Sequence, residues 1–176
     1  MSNYKIKLSK IKAFAFDVDG VFTDGTVLAT ETGDLLRSHN AKDGFAVRKA
    51  IIQGFPVAII TGGASESIVK RFALIGMDRN DIYLKSNYKI PDFIDFCERH
   101  KLQPDEVLFM GDDIPDIGVL KLCGLATCPA DAVSEVKEIS EYISLYPGGK
   151  GCVRDVIEQT LKIHNKWNTD PETYSG

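Results

Sequence analysis

Two carboxylates stand directly after the first apolar run of this 176-residue sequence. The run is Ile11–Phe16, and Asp17 and Asp19 follow it. In an extended chain, residues two positions apart project to the same side. One carboxylate can then act as a nucleophile while the other serves as general acid and base for the leaving group and for water. The pair therefore predicts group-transfer chemistry at the end of a strand.

Further polar side chains follow the other apolar runs. They are Thr61 after Val57–Ile60, Lys89 beyond Ile82–Leu84, and Asp112, Asp113 and Asp116 after Val107–Met110. In open α/β sheets ligands bind at the carboxyl ends of the strands, so we expect these side chains to converge there. Clustered carboxylates repel one another unless a cation neutralises them, and oxygen ligands favour Mg²⁺. With Thr61 and Lys89 available to hold phosphoryl oxygens, the set predicts magnesium-dependent phosphoryl transfer.

The elements that must position these side chains alternate along the chain. Short apolar runs indicate strands at Ile11–Phe16, Val57–Ile60, Ile82–Leu84, Val107–Met110 and Leu125–Cys128. Amphipathic stretches indicate helices at Gly44–Gln53, Ser65–Leu74, Ile90–His100, Val133–Ser140 and Val153–Lys166, the first of them capped by Asp43. This alternation predicts an α/β fold with a doubly wound, mostly parallel, Rossmann-like sheet.

One segment interrupts the alternation. Gly25–His39 has the pattern of a β-hairpin around a polar turn at Glu31–Asp34, in which Gly33 can adopt a positive φ. The interval from Asp17 to Thr61 has room for this hairpin and a helix but not for a cap domain.

The composition is that of an ordinary globular chain, with 44% hydrophobic and 26% charged residues and a net charge of −4. This balance argues against a nucleic-acid partner, and no apolar run reaches the roughly 20 residues that span a bilayer. The four cysteines form no CxxC pair and no export signal is visible, so we expect free thiols and a cytoplasmic location. We predict one domain over residues 1–167 and a disordered tail over residues 168–176.

In type and order, the strand-end residues resemble the four motifs of the haloacid dehalogenase superfamily of phosphatases. The motifs are Asp17-Val18-Asp19-Gly20-Val21, Thr61, Lys89 and Gly111-Asp112-Asp113-Ile114-Pro115-Asp116. The resemblance implies that Asp17 is the nucleophile that forms an aspartyl-phosphate. It implies that Asp19 is the acid/base, and that its backbone carbonyl binds Mg²⁺. It also implies that Asp17 and Asp112 are magnesium ligands, with Asp113 and Asp116 in supporting or water-mediated roles.

A finer resemblance extends over almost the whole chain, to about Trp167. Three stretches, Asp17–Gly25 (DVDGVFTDG), Asn40–Gly44 (NAKDG) and Gly148–Asp155 (GGKGCVRD), are similar to the 3-deoxy-D-manno-octulosonate 8-phosphate phosphatase family, the cap-less branch of the superfamily. This resemblance implies hydrolysis of that sugar-acid phosphate during lipopolysaccharide precursor synthesis. It also implies a homotetramer in which neighbouring subunits help to close each active site. The implied substrate contacts are Lys42, Arg71, Lys150 and Arg154.

One departure from that family concerns an arginine. Members commonly have Thr-Gly-Arg where this chain has Thr61-Gly62-Gly63, and Arg71 is the candidate to compensate. Hydrolysis of a nine-carbon 2-keto-3-deoxy nonulosonate 9-phosphate therefore stays open as an alternative, although the Lys42-Asp43-Gly44 run favours the eight-carbon substrate. Two non-enzymatic classes also stay open, a phospho-acceptor of the receiver type and an assembly module. Receiver domains lack an acid/base two residues beyond the phospho-acceptor, so Asp19 favours an enzyme.

Overall fold

The computed structural model describes residues 4–169. Its strands are β1 (Ala13–Phe16), β2 (Leu28–Ala29), β3 (Leu35–Leu36), β4 (Val57–Ile60), β5 (Ile82–Tyr83), β6 (Val107–Met110), β7 (Leu125–Cys128) and β8 (Tyr142–Ile143). Its helices are α1 (Tyr4–Leu8), α2 (Ala41–Ile52), α3 (Glu66–Ala73), α4 (Ile90–Arg99), α5 (Ile117–Leu120), α6 (Ser134–Ile139) and α7 (Cys152–Ile163). Short 3₁₀ turns at Arg79–Asp81, Pro104–Glu106 and Ile114–Asp116 precede β5, β6 and α5.

Six strands form one sheet in the order β5-β4-β1-β6-β7-β8, and every neighbouring pair is parallel. The chain starts at β1 near the centre, adds β4 and β5 on one side, and then adds β6, β7 and β8 on the other. This is the doubly wound arrangement, and the predicted fold class is confirmed. The reversal of direction beside β1 opens a crevice at the carboxyl ends of β1, β4 and β6.

Helices cover both faces of the sheet because the strands are apolar on both sides. Phe14 and Phe16 of β1 pack into the core formed with α1, α2, α3 and α7. Ala13 and Ala15 face the opposite core, formed with α4, α5 and α6, which also contains large side chains such as Phe93. All four β1 side chains are fully buried, as is typical of a central parallel strand.

β2 and β3 pair antiparallel in a separate two-stranded sheet, which is the predicted hairpin. Gly33 in its turn has a φ of +86°. Three leucines of the hairpin are exposed to solvent, namely Leu28 (63%), Leu35 (44%) and Leu36 (51%). Between β1 and β4 the only helices and strands are this hairpin and α2, so no cap domain is inserted there.

The structure corrects the predicted start of α2. The sequence predicts Asp43 as the cap, but the helix begins at Ala41 and its cap is Asn40, whose side chain accepts a hydrogen bond from the Lys42 N–H. Asn caps helices as well as Asp does, which leaves Asp43 for a different contact. The sequence predicts no counterpart of α1 and β8, because neither contains the continuous apolar run or the long amphipathic stretch by which the other elements are predicted.

Asp43 connects α2 to the start of α7. Its fully buried carboxylate accepts hydrogen bonds from the backbone N–H groups of Gly151 (3.2 Å) and Arg154 (2.8 Å). Burial raises the pKa of Asp43, although these two N–H groups and the charge of Arg154 act in the opposite direction. A side chain of one helix thus satisfies the N-terminal donors of another and fixes α7 against α2.

None of the helices in the described part of the chain is long and apolar enough to cross a membrane. The four cysteines are free thiols, as predicted. Most of the predicted tail, residues 170–176, lies outside the described residues. Asn168 precedes that part and lies against α2, where its carbonyl accepts a hydrogen bond from the Lys49 ammonium.

Replacing Asp43 by alanine should destabilise the fold, because two N–H groups at the start of α7 lose their acceptor. We expect Asp43→Ala to lower the free energy of unfolding in urea by about 2–4 kcal/mol, since an unsatisfied buried group costs about 1–3 kcal/mol. Lys42→Ala, at the exposed neighbouring position, is the control and should change it by less than about 0.5 kcal/mol. Equal effects of the two substitutions would show that α7 does not depend on Asp43.

Candidate active site

The carboxyl ends of β1, β4 and β6 border a cleft of about 360 Å³. Its lining includes every residue predicted to act in catalysis, metal binding or support: Asp17, Asp19, Thr61, Lys89, Asp112, Asp113 and Asp116. Asp17 directly follows β1, and its N–H donates to the Met110 carbonyl at 3.0 Å, which continues the ladder between β1 and β6. Sheet pairing therefore places the first and last motifs side by side.

Lys89 is the cation at the centre of this cleft. Its ammonium lies 3.0 Å from Asp17 Oδ2 and 2.6 Å from Asp116 Oδ1, and its side chain is only 3% exposed. Burial opposes the ammonium charge, but the two carboxylates outweigh burial and raise the pKa of Lys89. Lys89 therefore stays protonated and holds Asp17 in place.

Asp116 connects Lys89 to the loop that presents Asp112. While Asp116 Oδ1 pairs with Lys89, its Oδ2 accepts hydrogen bonds from the N–H groups of Asp112 (2.9 Å) and Asp113 (3.3 Å). Asp116 is fully buried. Asp113 is exposed, and its carboxylate accepts a hydrogen bond from the Ile114 N–H at 2.7 Å, which starts the next turn.

Three carboxylates of the cleft could hold a divalent cation, because oxygens of Asp17, Asp112 and Asp116 lie within 4.8 Å of one another. Burial, and then the charge of the neighbouring carboxylates, raise the pKa of Asp17 to about 7 and that of Asp112 to about 8. Asp112 Oδ1 is buried without a hydrogen-bond partner among the described residues. A bound Mg²⁺ would satisfy that oxygen and offset the repulsion, so the residues fit this ion.

Gly20 brings the loop after β1 against Asp112. Its φ is +83°, and a Cβ at this position would lie 2.0 Å from Asp112 Oδ2. Both the backbone conformation and the space therefore require glycine. The glycine that follows Asp19 thus lets the two acidic loops share one site.

The Thr61 hydroxyl reaches the cleft from the end of β4. It accepts a hydrogen bond from the Gly63 N–H at 3.1 Å and is 1% exposed. The next helix, α3, has Ser65 as its cap, so Thr61 is not needed for that role. A hydroxyl that accepts one hydrogen bond still has its own proton to donate, so Thr61 can donate to an anion in the cleft.

Arg37 belongs to the site but was missed by sequence reasoning. Its guanidinium binds the Asp19 carboxylate, with Nε 2.7 Å from Oδ1 and Nη2 2.9 Å from Oδ2. In the sequence, Arg37 is one arginine after a polar turn and has no motif around it. Only the folding of the hairpin, which brings together residues 18 positions apart, reveals the contact.

The four predicted substrate contacts lie outside the catalytic cleft of their own chain. Lys42, Lys150 and Arg154 line a second cavity of about 400 Å³. Arg71 lies against α2, since a Cβ on Gly44 would be 2.5 Å from Arg71 Nη2. None of the four lines the catalytic cleft.

The glycine-rich segment before α7 packs on the loop after β1. The Gly149 N–H donates to the Val21 carbonyl at 2.9 Å. A Cβ on Gly148 would lie 2.0 Å from the Gly20 carbonyl oxygen, so only glycine permits this backbone approach. The segment therefore supports the loop that carries Asp17 and Asp19.

The site defines the class of protein as a phosphoryl-transfer enzyme on a Rossmann-like fold. It combines a buried lysine, a threonine hydroxyl and an acidic cluster at the switch point of a doubly wound sheet. The comparison with protein families agrees, because residues 65–154 match the haloacid dehalogenase-like hydrolases. The chain belongs to this family, as its motifs predicted.

Three individual relatives show which members of the family this chain is similar to. The 3-deoxy-D-manno-octulosonate 8-phosphate phosphatase KdsC of Escherichia coli (strain K12) is 32% identical over 160 residues, which are 91% of this chain and 84% of the relative. The crystal structure of the phosphatase of that name from Yersinia pestis has a TM-score of 0.90 and 28% identity, and the match covers 94% of this chain and 88% of that one. A third relative, from Moraxella catarrhalis, was solved with magnesium, phosphate and 3-deoxy-D-manno-octulosonate (KDO); it has a TM-score of 0.91 and 26% identity over 99% of both chains.

Mg²⁺ should stabilise the protein more strongly as the pH rises. Without metal, Asp17 and Asp112 have folded pKa values above their unfolded value, so the folded state binds more protons. The stability of the metal-free protein should then fall between about pH 4 and pH 8. Mg²⁺ favours the ionised carboxylates, so the rise in Tm that it causes in calorimetry should be several degrees larger at about pH 8 than at about pH 6.

Asp112→Asn provides the control for this measurement, because it removes one charged ligand and should reduce the Mg²⁺-dependent rise in Tm at both pH values. A rise in Tm that is independent of pH in the unmodified protein would contradict the assignment of the ion to these carboxylates.

Proposed function

We propose that this protein is a magnesium-dependent phosphatase that hydrolyses 3-deoxy-D-manno-octulosonate 8-phosphate to the free sugar acid and phosphate. The observation that carries the reaction class is that Asp17 and Asp19 line one cleft but bind different cations. Asp17 is bound by Lys89 beside the acidic cluster, whereas Asp19 faces the same cleft but is bound by a different cation, Arg37.

In the first step, an oxygen of Asp17 bonds to phosphorus and the bond from phosphorus to the sugar oxygen breaks. Asp19 gives its proton to that oxygen, so the sugar leaves as an alcohol. Lys89 and the Val18 N–H, which donates to Asp17 Oδ1 at 2.7 Å, hold the attacking carboxylate in place. The Thr61 hydroxyl donates to a phosphoryl oxygen.

In the second step, water attacks the phosphorus of the aspartyl-phosphate. The ionised Asp19 takes a proton from this water, and the bond from phosphorus to Asp17 breaks. Inorganic phosphate leaves, Asp17 is again a carboxylate, and Asp19 is again protonated for the next turnover.

Asp17 and Asp112 would hold Mg²⁺ together with the Asp19 backbone carbonyl, and Asp116 supports them through its hydrogen bonds to the Asp112 loop. When bound, the ion supplies positive charge that offsets the charge of the phosphoryl group and of the carboxylates. Lys89 already pairs with Asp17 and Asp116 and does not balance all the acidic groups alone.

The choice of substrate is supported by the relatives that bear the name of this activity. They match nearly the full length of the chain, and the Lys42-Asp43-Gly44 run agrees with the eight-carbon compound. We place the reaction in the cytoplasm, in the synthesis of lipopolysaccharide precursors. A receiver-type phospho-acceptor would lack Asp19, and an assembly module would not need a complete set of acidic groups around a buried lysine.

We also propose that the protein is a homotetramer in which a neighbouring subunit covers the catalytic cleft. The hairpin supports this proposal because Leu28, Leu35 and Leu36 expose apolar side chains together, which is typical of an interaction surface. The position of Lys150 and Arg154 supports it too, since both line a cavity separate from their own catalytic cleft and could serve the site of a neighbour.

Charged substitutions on the hairpin should disrupt this assembly. Leu28 and Leu36 form a cross-strand pair, and the double substitution Leu28→Glu and Leu36→Glu should reduce the mass in light scattering from a tetramer of 19.4 kDa chains to smaller species. We expect kcat/KM for the sugar-acid phosphate to fall about tenfold or more, a loss of about 1.4 kcal/mol. Leu74→Glu, at another exposed leucine, is the control. A fully active monomer would contradict the proposal.

A screen of phosphate release with Mg²⁺ tests the substrate. We expect kcat/KM for 3-deoxy-D-manno-octulosonate 8-phosphate to exceed that for the nonulosonate 9-phosphate and for hexose phosphates by about tenfold or more, a difference of about 1.4 kcal/mol.

Asp17→Asn should remain folded and lose activity by about 10³-fold or more. Preference for the nine-carbon compound would assign the alternative substrate. Preference for hexose phosphates would refute both sugar-acid substrates. A phosphorylated form of the unmodified protein that persists without releasing phosphate would indicate a phospho-acceptor.

A further inference from the structure

We propose that Arg37 is the positioning residue for Asp19, and that the hairpin contributes to catalysis by presenting it. This inference rests on the proposed function, because it assigns a purpose to the acid/base of that reaction. It adds a residue outside the four motifs and gives the hairpin a chemical role in its own chain.

The contact is a fork in which two guanidinium nitrogens meet both carboxylate oxygens. Nε lies 2.7 Å from Asp19 Oδ1 and Nη2 lies 2.9 Å from Oδ2. The Arg37 side chain is 5% exposed, whereas that of Asp19 is 32% exposed. A planar two-point contact fixes the rotation of a carboxylate, which a single lysine ammonium cannot do. Because Asp19 is partly open to solvent, the fork is its main restraint.

The two reactive carboxylates have separate cations. Lys89 binds Asp17 and Asp116, and Arg37 binds Asp19. The nucleophile and the acid/base, only two residues apart, are therefore held by groups from different segments of the chain, one beside the hairpin and one at the start of α4. Loss of Arg37 should disturb Asp19, its direct partner, more than Asp17, whose contact with Lys89 remains in place.

Gly63 provides space beside this guanidinium. A Cβ on Gly63 would lie 3.4 Å from Arg37 Nη2 and 2.9 Å from Ile68 Cδ1, so a larger side chain there would crowd the position of Arg37. Arg37 itself directly follows β3, and its Nη1 approaches the Leu35 carbonyl at 3.5 Å. The hairpin and the loop after β4 therefore both border the Arg37 guanidinium that binds Asp19.

The experiment compares leaving groups that do and do not need a proton. The sugar oxygen of 3-deoxy-D-manno-octulosonate 8-phosphate must be protonated as it leaves, whereas p-nitrophenolate is stable without a proton. In Arg37→Met, we expect kcat/KM for the sugar-acid phosphate to fall about 10²-fold, in the range that a general acid contributes. We expect kcat/KM for p-nitrophenyl phosphate to fall less than about threefold, a change of about 0.7 kcal/mol or less.

Three further measurements make the result specific. Arg37→Lys, which keeps the charge but not the fork, should retain more activity on the sugar-acid phosphate than Arg37→Met does. In a double-mutant cycle, Arg37→Met should cause little further loss when Asp19 is already Asn, because the two residues act as one unit. The rise in Tm caused by Mg²⁺ should be the same in Arg37→Met as in the unmodified protein.

Several results would overturn the proposal. Equal losses on the two substrates would mean that Arg37 supports the fold or binds the phosphoryl group. A loss on the sugar-acid phosphate that is absent with D-arabinose 5-phosphate, which has an alcohol leaving group but no carboxylate, would make Arg37 a contact for the carboxylate of the substrate. If Arg37→Met leaves kcat/KM unchanged for both substrates, the contact between Arg37 and Asp19 has no role in catalysis. If the unmodified protein cleaves p-nitrophenyl phosphate but not the sugar-acid phosphate, the proposed substrate is wrong, and the Arg37 comparison is then made with the preferred alkyl phosphate from the screen.

Discussion

The concentration of negative charge at the ends of two adjacent parallel strands, β1 and β6, is the constraint on which the rest of the structure depends. Asp17, Asp112 and Asp116 bring carboxylate oxygens within 4.8 Å of one another in a mostly buried place. Such a cluster is unfavourable unless cations and hydrogen-bond donors surround it. Lys89 supplies one charge, the N–H groups of the Asp112 loop supply donors, and an unpartnered oxygen of Asp112 remains for a metal ion. The repulsion among these carboxylates is thus the reason that the site can bind a cation.

The strands and the strand-end residues could be predicted because they follow from short-range patterns. Buried parallel strands need continuous apolar runs, and their carboxyl ends must meet in the crevice of a doubly wound sheet. This logic placed Asp17, Thr61, Lys89 and Asp112 correctly around one cleft. It needed only the direction of the strands in a doubly wound sheet and the alternation of side chains in an extended chain.

The contacts that could not be predicted are those between distant segments. Asp43 has the pattern of a helix cap, and only the packing of α7 against α2 turns it into a buried acceptor for Gly151 and Arg154. Arg37 resembles a surface arginine until the hairpin folds it onto Asp19. In both cases the contact forms between segments that are distant in the sequence. The local sequence pattern does not distinguish such a residue from one that is exposed to solvent. β8 could not be predicted because it has two residues and, unlike β2 and β3, no turn pattern that marks a hairpin.

The backbone of Gly148 and Gly149 lies directly on the loop that follows the first strand. The segment that presents the nucleophile, encoded near the start of the chain, is therefore completed by residues encoded near its end. During synthesis on the ribosome, β1 and its acidic loop emerge long before the glycines and α7 that support them. A nascent chain that has already made all of the catalytic carboxylates still lacks the surface that shapes their loop. The final shape of the loop that carries Asp17 therefore depends on a segment that is synthesised after all of the catalytic carboxylates.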